Sequence, residues 1–446
     1  MAESDLPTMA GTTLDFPRLR RVLQSTDTLQ AIGRVVQACG TVIKVTGLPV
    51  RVGELCSLYD PQSDWQLSAE VVGLAGDCAL LTPLGSLQGI SNATRVISAG
   101  RCQEVVVGVA LLGRVIDGNG HALDSGGPPQ CEHRIPLYAD PPNPMQRAAI
   151  KQPLATGVRA IDSMLACGEG QRMGIFAAAG GGKSILLSML ARGSEADVNV
   201  IALIGERGRE VQEFVRDNLQ DSLHKTVLVV ATSDRPALER ARATYVATAI
   251  AEYFRDQGQR VQLLVDSVTR FARALRDVGL AAGEPPTRRG FPPSVFSVLP
   301  QLFERAGNND LGSISAFYTV LMEDEDSADP IAEEVRSLLD GHIYLSRQLA
   351  AENHYPAIDV LASASRLMDK LVTDEHEAAA ARARQLLAKH KDIELLVQLG
   401  EYKAGHDADG DAALACAPRL REHLTQSSRR LATFSESQAS LYSAIS

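Results

Sequence analysis

The chain of 446 residues is poor in aromatic side chains and contains a single tryptophan, Trp65. Phe, Tyr and Trp make up only 4% of the sequence, which argues against the stacking platforms that bind single-stranded nucleic acids. The formal net charge of −10 also disfavours binding to DNA or RNA through the phosphate backbone. We therefore expect no nucleic-acid partner.

Cysteine pairs, basic leaders and long apolar runs are also missing. The seven cysteines are odd in number and none belongs to a C-x-x-C pair, so neither a disulfide framework nor a zinc site is expected, and a reducing compartment is indicated. Residues 1–11 hold two acidic residues and no basic run, which predicts that there is no signal peptide. Apolar stretches such as Val105–Leu112 are too short to span a bilayer. Any membrane contact is therefore expected to go through partner proteins.

What is present divides into four regions. Residues 1–31 are expected to be a flexible lead-in. Residues 32–99 contain short apolar runs broken by turn residues such as Gly76-Asp77, which predicts a small β-barrel. In residues 100–367, strands alternate with helical patterns, which is typical of a parallel α/β sheet with helices on both faces. Residues 368–446 lack strand signals and are expected to form a helical domain with a polar, Ser-rich tail from about Gln426.

Strand-like runs and one clear helix define the central region. The five runs are Met173–Ala177, Val198–Ile204, Thr226–Ala231, Val261–Val265 and Ser313–Met322. The helix is predicted from about Pro236 to Gln257, with Ser233 as its N-cap. Parallel sheets bind ligands beyond the carboxyl ends of their strands. Functional residues are therefore expected in the turns that follow these runs.

A glycine-rich turn follows the first of these runs. Residues 177–184 read Ala-Ala-Ala-Gly-Gly-Gly-Lys-Ser and precede an apolar helix start. Glycines let the backbone wrap closely around phosphates, while backbone N–H groups and the helix N-terminus face the anion. Lys183 is expected to reach the outer phosphates, and the Ser184 hydroxyl is expected to ligate Mg²⁺. The turn predicts a nucleoside triphosphate site, although Ala177 stands where the usual pattern has glycine.

Carboxylates follow two other strand runs. Asp266 ends an apolar strand and is expected to hold the metal together with Ser184, although a plain turn residue is the alternative. Glu206 follows the second run and can orient an attacking water, and Glu210, one helical turn on, is expected to support the metal shell. The alternative for both glutamates is a solvated helix start, where acidic residues are favoured anyway. The run Glu323–Asp326 is expected to be only a solvated acidic loop.

The order of these motifs resembles that of rotary-type hexameric ATPases. The Pro-rich segment Gly283–Pro300 and the segment Tyr355–Arg366 complete the pattern. In detail the chain resembles the ATPases of type III protein secretion systems, the subgroup shared by injectisomes and flagella. The resemblance extends from about Ile32 to about Lys370, and the sequence of Asn353–Leu361 favours the injectisome branch.

This resemblance implies a RecA-like P-loop NTPase core, an N-terminal barrel for oligomerisation and a helical C-terminal domain. It also implies a homohexameric ring that binds each ATP and its Mg²⁺ between two subunits. The implied catalytic residues are Lys183, Glu206 as the catalytic carboxylate, Arg207 near the γ-phosphate and Arg366 as an arginine finger in the neighbour's site. The implied nucleotide contacts are Gly180, Gly181, Gly182, Lys183, Ser184, Ile185 and, against adenine, Tyr355.

The implied function is ATP hydrolysis that releases chaperones from export cargo and unfolds it. The implied partners are central stalk and stator proteins, an export gate and chaperone–cargo complexes, at the cytoplasmic face of the inner membrane. A flagellar export ATPase is the nearest alternative. A non-catalytic ATP synthase-type subunit would lack the carboxylate, so Glu206 argues against it. An RNA translocase such as Rho would need an aromatic, basic barrel, which the N-terminal region does not offer.

Overall fold

The computed structural model describes residues 30–322 and 329–446. The acidic run Glu323–Asp326 lies outside these ranges, as does nearly all of the lead-in expected over residues 1–31. Within the two ranges, no helix combines the length and apolar character needed to cross a bilayer.

A closed six-stranded barrel opens the described chain, in the order β1-β2-β5-β4-β3-β6. Its strands are β1 (Ile32–Cys39), β2 (Val42–Thr46), β3 (Glu54–Tyr59), β4 (Gln66–Ala75), β5 (Cys78–Pro83) and β6 (Arg95–Cys102). The predicted tight turn joins β4 to β5, where Gly76 adopts a φ of 58°. Ile43, Leu58 and Leu81 are fully buried in the interior. The barrel is therefore a packed unit that continues to Cys102.

The remaining strands build the central sheet and two small ones. They are β7 (Glu104–Val107), β8 (Val115–Asp117), β9 (His133–Pro136), β10 (Pro153–Leu154), β11 (Cys167–Gly168), β12 (Arg172–Ala178), β13 (Val198–Ile204), β14 (Thr226–Ala231), β15 (Arg260–Asp266), β16 (Gly307–Asn308), β17 (Ser313–Met322), β18 (Gly341–Leu345) and β19 (Ile358–Ser365). The central sheet has the order β19-β18-β12-β17-β15-β13-β14-β8, with β16 paired to β17. From β18 to β8 this path is parallel, whereas β19 runs antiparallel to β18. All five predicted strand runs are confirmed.

Helices cover both faces of this sheet. They are α1 (Arg159–Met164), α2 (Lys183–Gly193), α3 (Gly208–Glu213), α4 (Ala237–Asp256), α5 (Val268–Ala281), α6 (Pro293–Phe303), α7 (Pro330–Leu338), α8 (Arg347–Ala351), α9 (Met368–Leu371), α10 (Asp374–Gln398), α11 (Ala408–Leu424) and α12 (Phe434–Ile445). One apolar core lies between the sheet and α4, α5 and α6. A second core joins the other face to α1, α2 and the helices α10 to α12. The predicted α/β class is confirmed.

Helix starts were predicted with mixed success. Thr373 caps α10, because its side chain accepts a hydrogen bond from the His376 backbone N–H. The prediction that Ser233 caps α4 was wrong: Pro236 occupies the N-cap position and no side chain caps the helix. The Ser233 backbone N–H instead donates to the Glu206 carbonyl, at 3.0 Å. Ser233 therefore belongs to the turn beside Glu206.

The prediction of a polar tail was also wrong, because α12 forms within it, from Phe434 to Ile445. A capping box formed by Thr433 and Glu436 starts this helix. Leu441 is fully buried in the second core. The Gln426 side chain is buried as well, accepting from the Arg159 N–H and donating to the Gly157 carbonyl, both at 2.8 Å. The Ser-rich composition thus hides a helix that packs on the central domain.

Candidate nucleotide site

The glycine-rich turn lies between β12 and α2, as predicted. Ala177 is buried inside β12, paired with Leu321 and Leu345, so the strand tolerates a Cβ where the usual motif has glycine. Gly180 and Gly182 adopt φ values of 86° and 81°, which favour glycine. Gly182 is the N-cap of α2 and provides no side-chain cap. The first N–H groups of α2 are thus left for an anion.

Lys183, Glu206 and Asp266 are brought together from three separate elements. The Lys183 Nζ lies 2.6 Å from Asp266 Oδ1 and 3.3 Å from Glu206 Oε1. The three side chains are only 13%, 11% and 6% exposed, respectively. Because β12, β13 and β15 are parallel, their carboxyl ends meet at one edge of the sheet and place these groups there. The cluster forms a compact charged site at that edge.

Arg270 and Thr319 join this cluster and were missed by the sequence reasoning. The Arg270 Nη1 lies 2.7 Å from Glu206 Oε1, and the Thr319 hydroxyl donates to Asp266 Oδ1 at 2.7 Å. The positive charges of Lys183 and Arg270 balance the negative charges of Glu206 and Asp266. This balance makes the burial of the two carboxylates possible. Arg270 lies in the first turn after Asp266, and Thr319 is a polar residue in an apolar strand. These sequence positions are the signals by which the two residues could have been found.

Arg207 and Glu210 lie at the surface. Arg207 Nη1 contacts Glu210 Oε1 at 3.3 Å, with side-chain exposures of 79% and 40%. Within the described residues, neither side chain contacts Lys183 or Asp266. Exposed pairs of this kind contribute little to stability. The roles expected for both residues therefore stay predictions.

Tyr355 lies beside the glycine-rich turn. A Cβ added to Gly182 would come within 3.1 Å of Tyr355 Cε1, so the ring packs directly on the backbone at the start of α2. Gly180 and Ser184 are exposed, whereas Ile185 is partly buried and packs on the second core. Tyr355 is thus placed where an aromatic face can meet a bound base.

Arg366 lies at the opposite edge of the sheet. It follows β19, whose last residue, Ser365, pairs with Gly341 at the start of β18, level with Met173 on β12. At about 3.3 Å per residue, the length of β12 separates this level from Ala178 by roughly 16 Å. Arg366 is exposed, and its Nη2 donates to the Arg336 carbonyl at 3.3 Å. The described structure does not bring Arg366 to Lys183 of the same chain.

The residues fit a nucleotide with its metal. A Cβ on Gly180 would meet open space, so the turn leaves the backbone accessible on its outer side. The Ser184 hydroxyl and the Asp266 carboxylate are the hard oxygen donors that Mg²⁺ prefers. Lys183 supplies a cation next to the Asp266 carboxylate.

Family comparisons agree with this architecture. The ATP synthase alpha/beta family matches twice, as its nucleotide-binding domain over residues 157–365 and as its beta-barrel domain over residues 35–100. The T3SS EscN ATPase C-terminal domain matches residues 372–443. The fold and the site thus define a P-loop ATPase of the ATP synthase alpha/beta type.

Individual relatives narrow the class. The type 3 secretion system ATPase of Xanthomonas euvesicatoria is 55% identical, covering 96% of this chain and 97% of that protein. The flagellum-specific ATP synthase of Bacillus subtilis is 46% identical over 94% of this chain and 97% of its own length. The assembled ATPase EscN of the enteropathogenic E. coli type III secretion system has 49% identity and a TM-score of 0.88, covering 93% of this chain and 100% of that one. The chain belongs to the type 3 secretion system ATPase family.

Proposed function

We propose that this ATPase energises type III protein secretion as a homohexameric ring in which neighbouring subunits share each nucleotide site. The observation that carries the shared site is the separation within one chain. Lys183, Glu206 and Asp266 cluster at the carboxyl edge of the sheet, whereas Arg366 lies exposed beyond its opposite edge. An arginine finger from the neighbour would supply the missing cation. One subunit therefore holds the triphosphate and the next completes its cleavage.

Each residue of the shared site has a defined task in this proposal. The amides of the turn from Gly180 to Gly182, Lys183 and the start of α2 bind phosphate oxygens, and Tyr355 packs on the adenine. Glu206 orients the attacking water, and Arg270 holds the Glu206 carboxylate in place. Arg207 would contact the γ-phosphate region. Arg366 of the neighbour stabilises charge on the transferring phosphoryl group.

Mg²⁺ would be held by Ser184 and Asp266, with Glu210 as an outer support. When bound, the ion neutralises charge on the β- and γ-phosphates. The Thr319 hydroxyl donates to Asp266 Oδ1, which helps to hold the Asp266 carboxylate in place. Replacing Asp266 by Asn should weaken Mg²⁺-dependent nucleotide binding.

The domains divide the remaining tasks. We assign ring assembly to the barrel over residues 32–99, nucleotide chemistry to residues 100–367 and partner contacts to residues 368–446. Those partners would be a central stalk, stator proteins, an export gate and chaperone–cargo complexes, from a cytoplasmic position at the inner membrane. Support for the stalk comes from EscN, which is solved in complex with its central stalk EscO and is 48% identical to this chain.

A flagellar export ATPase is the second candidate. The flagellum-specific relative from Bacillus subtilis favours it, at 46% identity, but the secretion ATPase of Xanthomonas euvesicatoria is more similar, at 55%. Deletion of the gene separates the two functions. Loss of protein secretion with intact motility supports the injectisome role, whereas loss of motility supports the flagellar one.

Dependence on protein concentration tests the shared site. Purified protein should hydrolyse ATP with a specific activity that rises steeply as subunits assemble, because the site is incomplete in one chain. Lys183→Ala serves as the inactive control. Sedimentation should show larger assemblies over the same concentration range. A fully active monomer would overturn the proposal.

A further inference from the structure

A large, irregular bulge interrupts β19 shortly before Arg366. Asp359 pairs with Tyr344 and Ala364 pairs with His342, so residues 360–363 lie opposite Ile343 alone. Such a bulge leaves backbone groups without ladder partners. The Asp359 side chain satisfies two N–H groups, those of Leu361 and Ala362, at 2.9 and 3.0 Å. The bulge carbonyls need donors from elsewhere.

Arg384, on the first long helix of the C-terminal region, supplies donors to two of these carbonyls. Its Nη1 donates to the Val360 carbonyl and, at 3.2 Å, to the Ser363 carbonyl. Its Nη2 donates to the Met164 carbonyl at the end of α1, at 2.9 Å. One guanidinium therefore links α10, α1 and both ends of the bulge.

The fork of Arg384 suits this position better than any other side chain. A planar guanidinium presents several donors in fixed directions, whereas an ammonium acts as a point charge. Burial lowers the pKa of Arg384, and the nearby Asp359 carboxylate opposes that effect. Hydrogen bonds to the three carbonyls and the nearby Asp359 carboxylate compensate for the lost hydration of the half-buried guanidinium.

The bulge leads directly to Arg366. Only Ala364 and Ser365 separate it from that residue, and the Arg366 N–H is fixed by the Asp340 carbonyl at 3.0 Å. A groove of about 390 Å³ beside Arg366 includes Ser363 and Arg384 in its lining. The path of β19 through the bulge therefore sets where Arg366 emerges.

We propose that Arg384 is a positioning residue that holds the bulge of β19, and thereby Arg366, in the arrangement that acts on the neighbouring subunit's nucleotide. This inference rests on the proposed shared site. It links the C-terminal helices to catalysis in the next subunit without any contact between Arg384 and the nucleotide.

Steady-state kinetics of Arg384→Met give the first test. A misplacement of about 1 Å can cost roughly 100-fold in rate, so kcat should fall about 10- to 100-fold. The KM for ATP should change less than about twofold, because the subunit's own binding edge is untouched. Arg382→Met is the matched control, since Arg382 lies on the same helix and pairs with Asp409 at the surface. It should keep the parental kcat.

Mixed assemblies distinguish positioning from a general structural role. Lys183→Ala subunits cannot hydrolyse ATP but carry an undisturbed Arg366. Added to Arg384→Met subunits, they should raise the activity per Arg384→Met subunit severalfold, because they donate a correctly placed finger. Damage to the variant's own site would not be rescued in this way.

A parallel mixture of Arg366→Ala with Lys183→Ala tests the shared site itself. Rescue in that mixture but not with Arg384→Met overturns the role of Arg384 and leaves the shared site intact. Failure of both mixtures overturns the shared site and this inference with it. Arg384→Lys covers the case in which Arg384→Met does not fold. Its single ammonium should give an intermediate kcat that the same mixing rescues, and a fully parental kcat would contradict the proposal.

Discussion

The two edges of the central sheet treat charge in opposite ways. At the carboxyl edge, Lys183 and Arg270 balance Glu206 and Asp266, and the lysine and both carboxylates are nearly buried. At the other edge, Arg366 is exposed, and within the described residues it forms no ion pair. Buried, mutually held charges are preorganised for a ligand that comes to them. An exposed, unbalanced guanidinium suits a group that must reach another molecule.

Arg366→Ala should separate the two edges most clearly. Loss of an arginine finger lowers kcat by about 10³- to 10⁵-fold, or roughly 4 to 7 kcal/mol of barrier. Nucleotide affinity should change little, since in the proposal Arg366 stabilises the charge of the transferring phosphoryl group, whereas Lys183 and the glycine-rich turn bind the nucleotide. Turnover and binding of a fluorescent ATP analogue measure the two effects. Parental turnover in this variant would break the comparison.

Glu206→Gln should act at the carboxyl edge and on the same step. Removing a group that orients and polarises water costs about 10²- to 10⁴-fold in kcat. ATP binding should persist, because Lys183 and the turn remain. In mixed assemblies with Lys183→Ala this variant should not be rescued, unlike Arg366→Ala, since both defects lie at the same edge. Rescue would contradict the assignment.

Acid should destabilise the packing of α11 against α1 and α12. His423 is buried between the Ser163 and Ser440 hydroxyls, each 2.8 Å away, and burial lowers its pKa to about 4. Because the folded-state pKa lies below the unfolded value of about 6.5, its contribution is present above pH 6.5 and is lost as the pH falls toward 4. The loss is at most about 3 kcal/mol. Hydrogen exchange in α11 at pH 7 and pH 5 measures it.

Two variants sharpen this test of the pH dependence in α11. His423→Gln should reduce the pH dependence of exchange, because glutamine does not titrate. His406→Gln, in the exposed turn before α11, should leave the dependence unchanged. His354 and His376 also have lowered pKa values caused by burial, so part of the acid effect should remain in His423→Gln. An α11 equally protected at both pH values would contradict the prediction.

The smallest expected effect concerns the helix that replaced the predicted tail. Thr433→Ala removes the cap of α12 and should weaken its protection from hydrogen exchange by about 1 kcal/mol. Ser435→Ala, on the exposed side of the same helix, should change it by less than about 0.5 kcal/mol. Equal effects of the two substitutions would mean that the capping box is not formed in solution.

Local patterns predicted the sheet and the turn well. The buried strands are continuous apolar runs bounded by turn residues, and the glycine-rich turn is specified within eight residues of sequence. Lys183 and Asp266 could be paired in advance, because parallel strands end at one edge. Arg270 and Thr319 could not, since their contacts depend on how α5 and β17 are oriented.

The end of the chain shows the opposite case. The serine-rich composition suggested a tail. However, Leu441 and Ala444 form a buried apolar stripe, and this stripe is enough to pack α12 on the rest of the protein. Composition averages over such a stripe, whereas spacing detects it. The prediction that Ser233 caps α4 failed because Pro236 occupies the N-cap position. Proline fixes the backbone there, so the helix starts without a serine cap.

The antiparallel direction of β19 has a mechanical consequence. Tyr355 precedes β19 beside the glycine-rich turn, and Arg366 follows it at the opposite edge of the sheet, so in the proposed ring this one strand would connect two different nucleotides. In that ring, a shift of β19 would alter the packing on the base in one subunit and the charge beside the phosphates in the next. Catalytic events at adjoining sites of the proposed ring would then be coupled through β19.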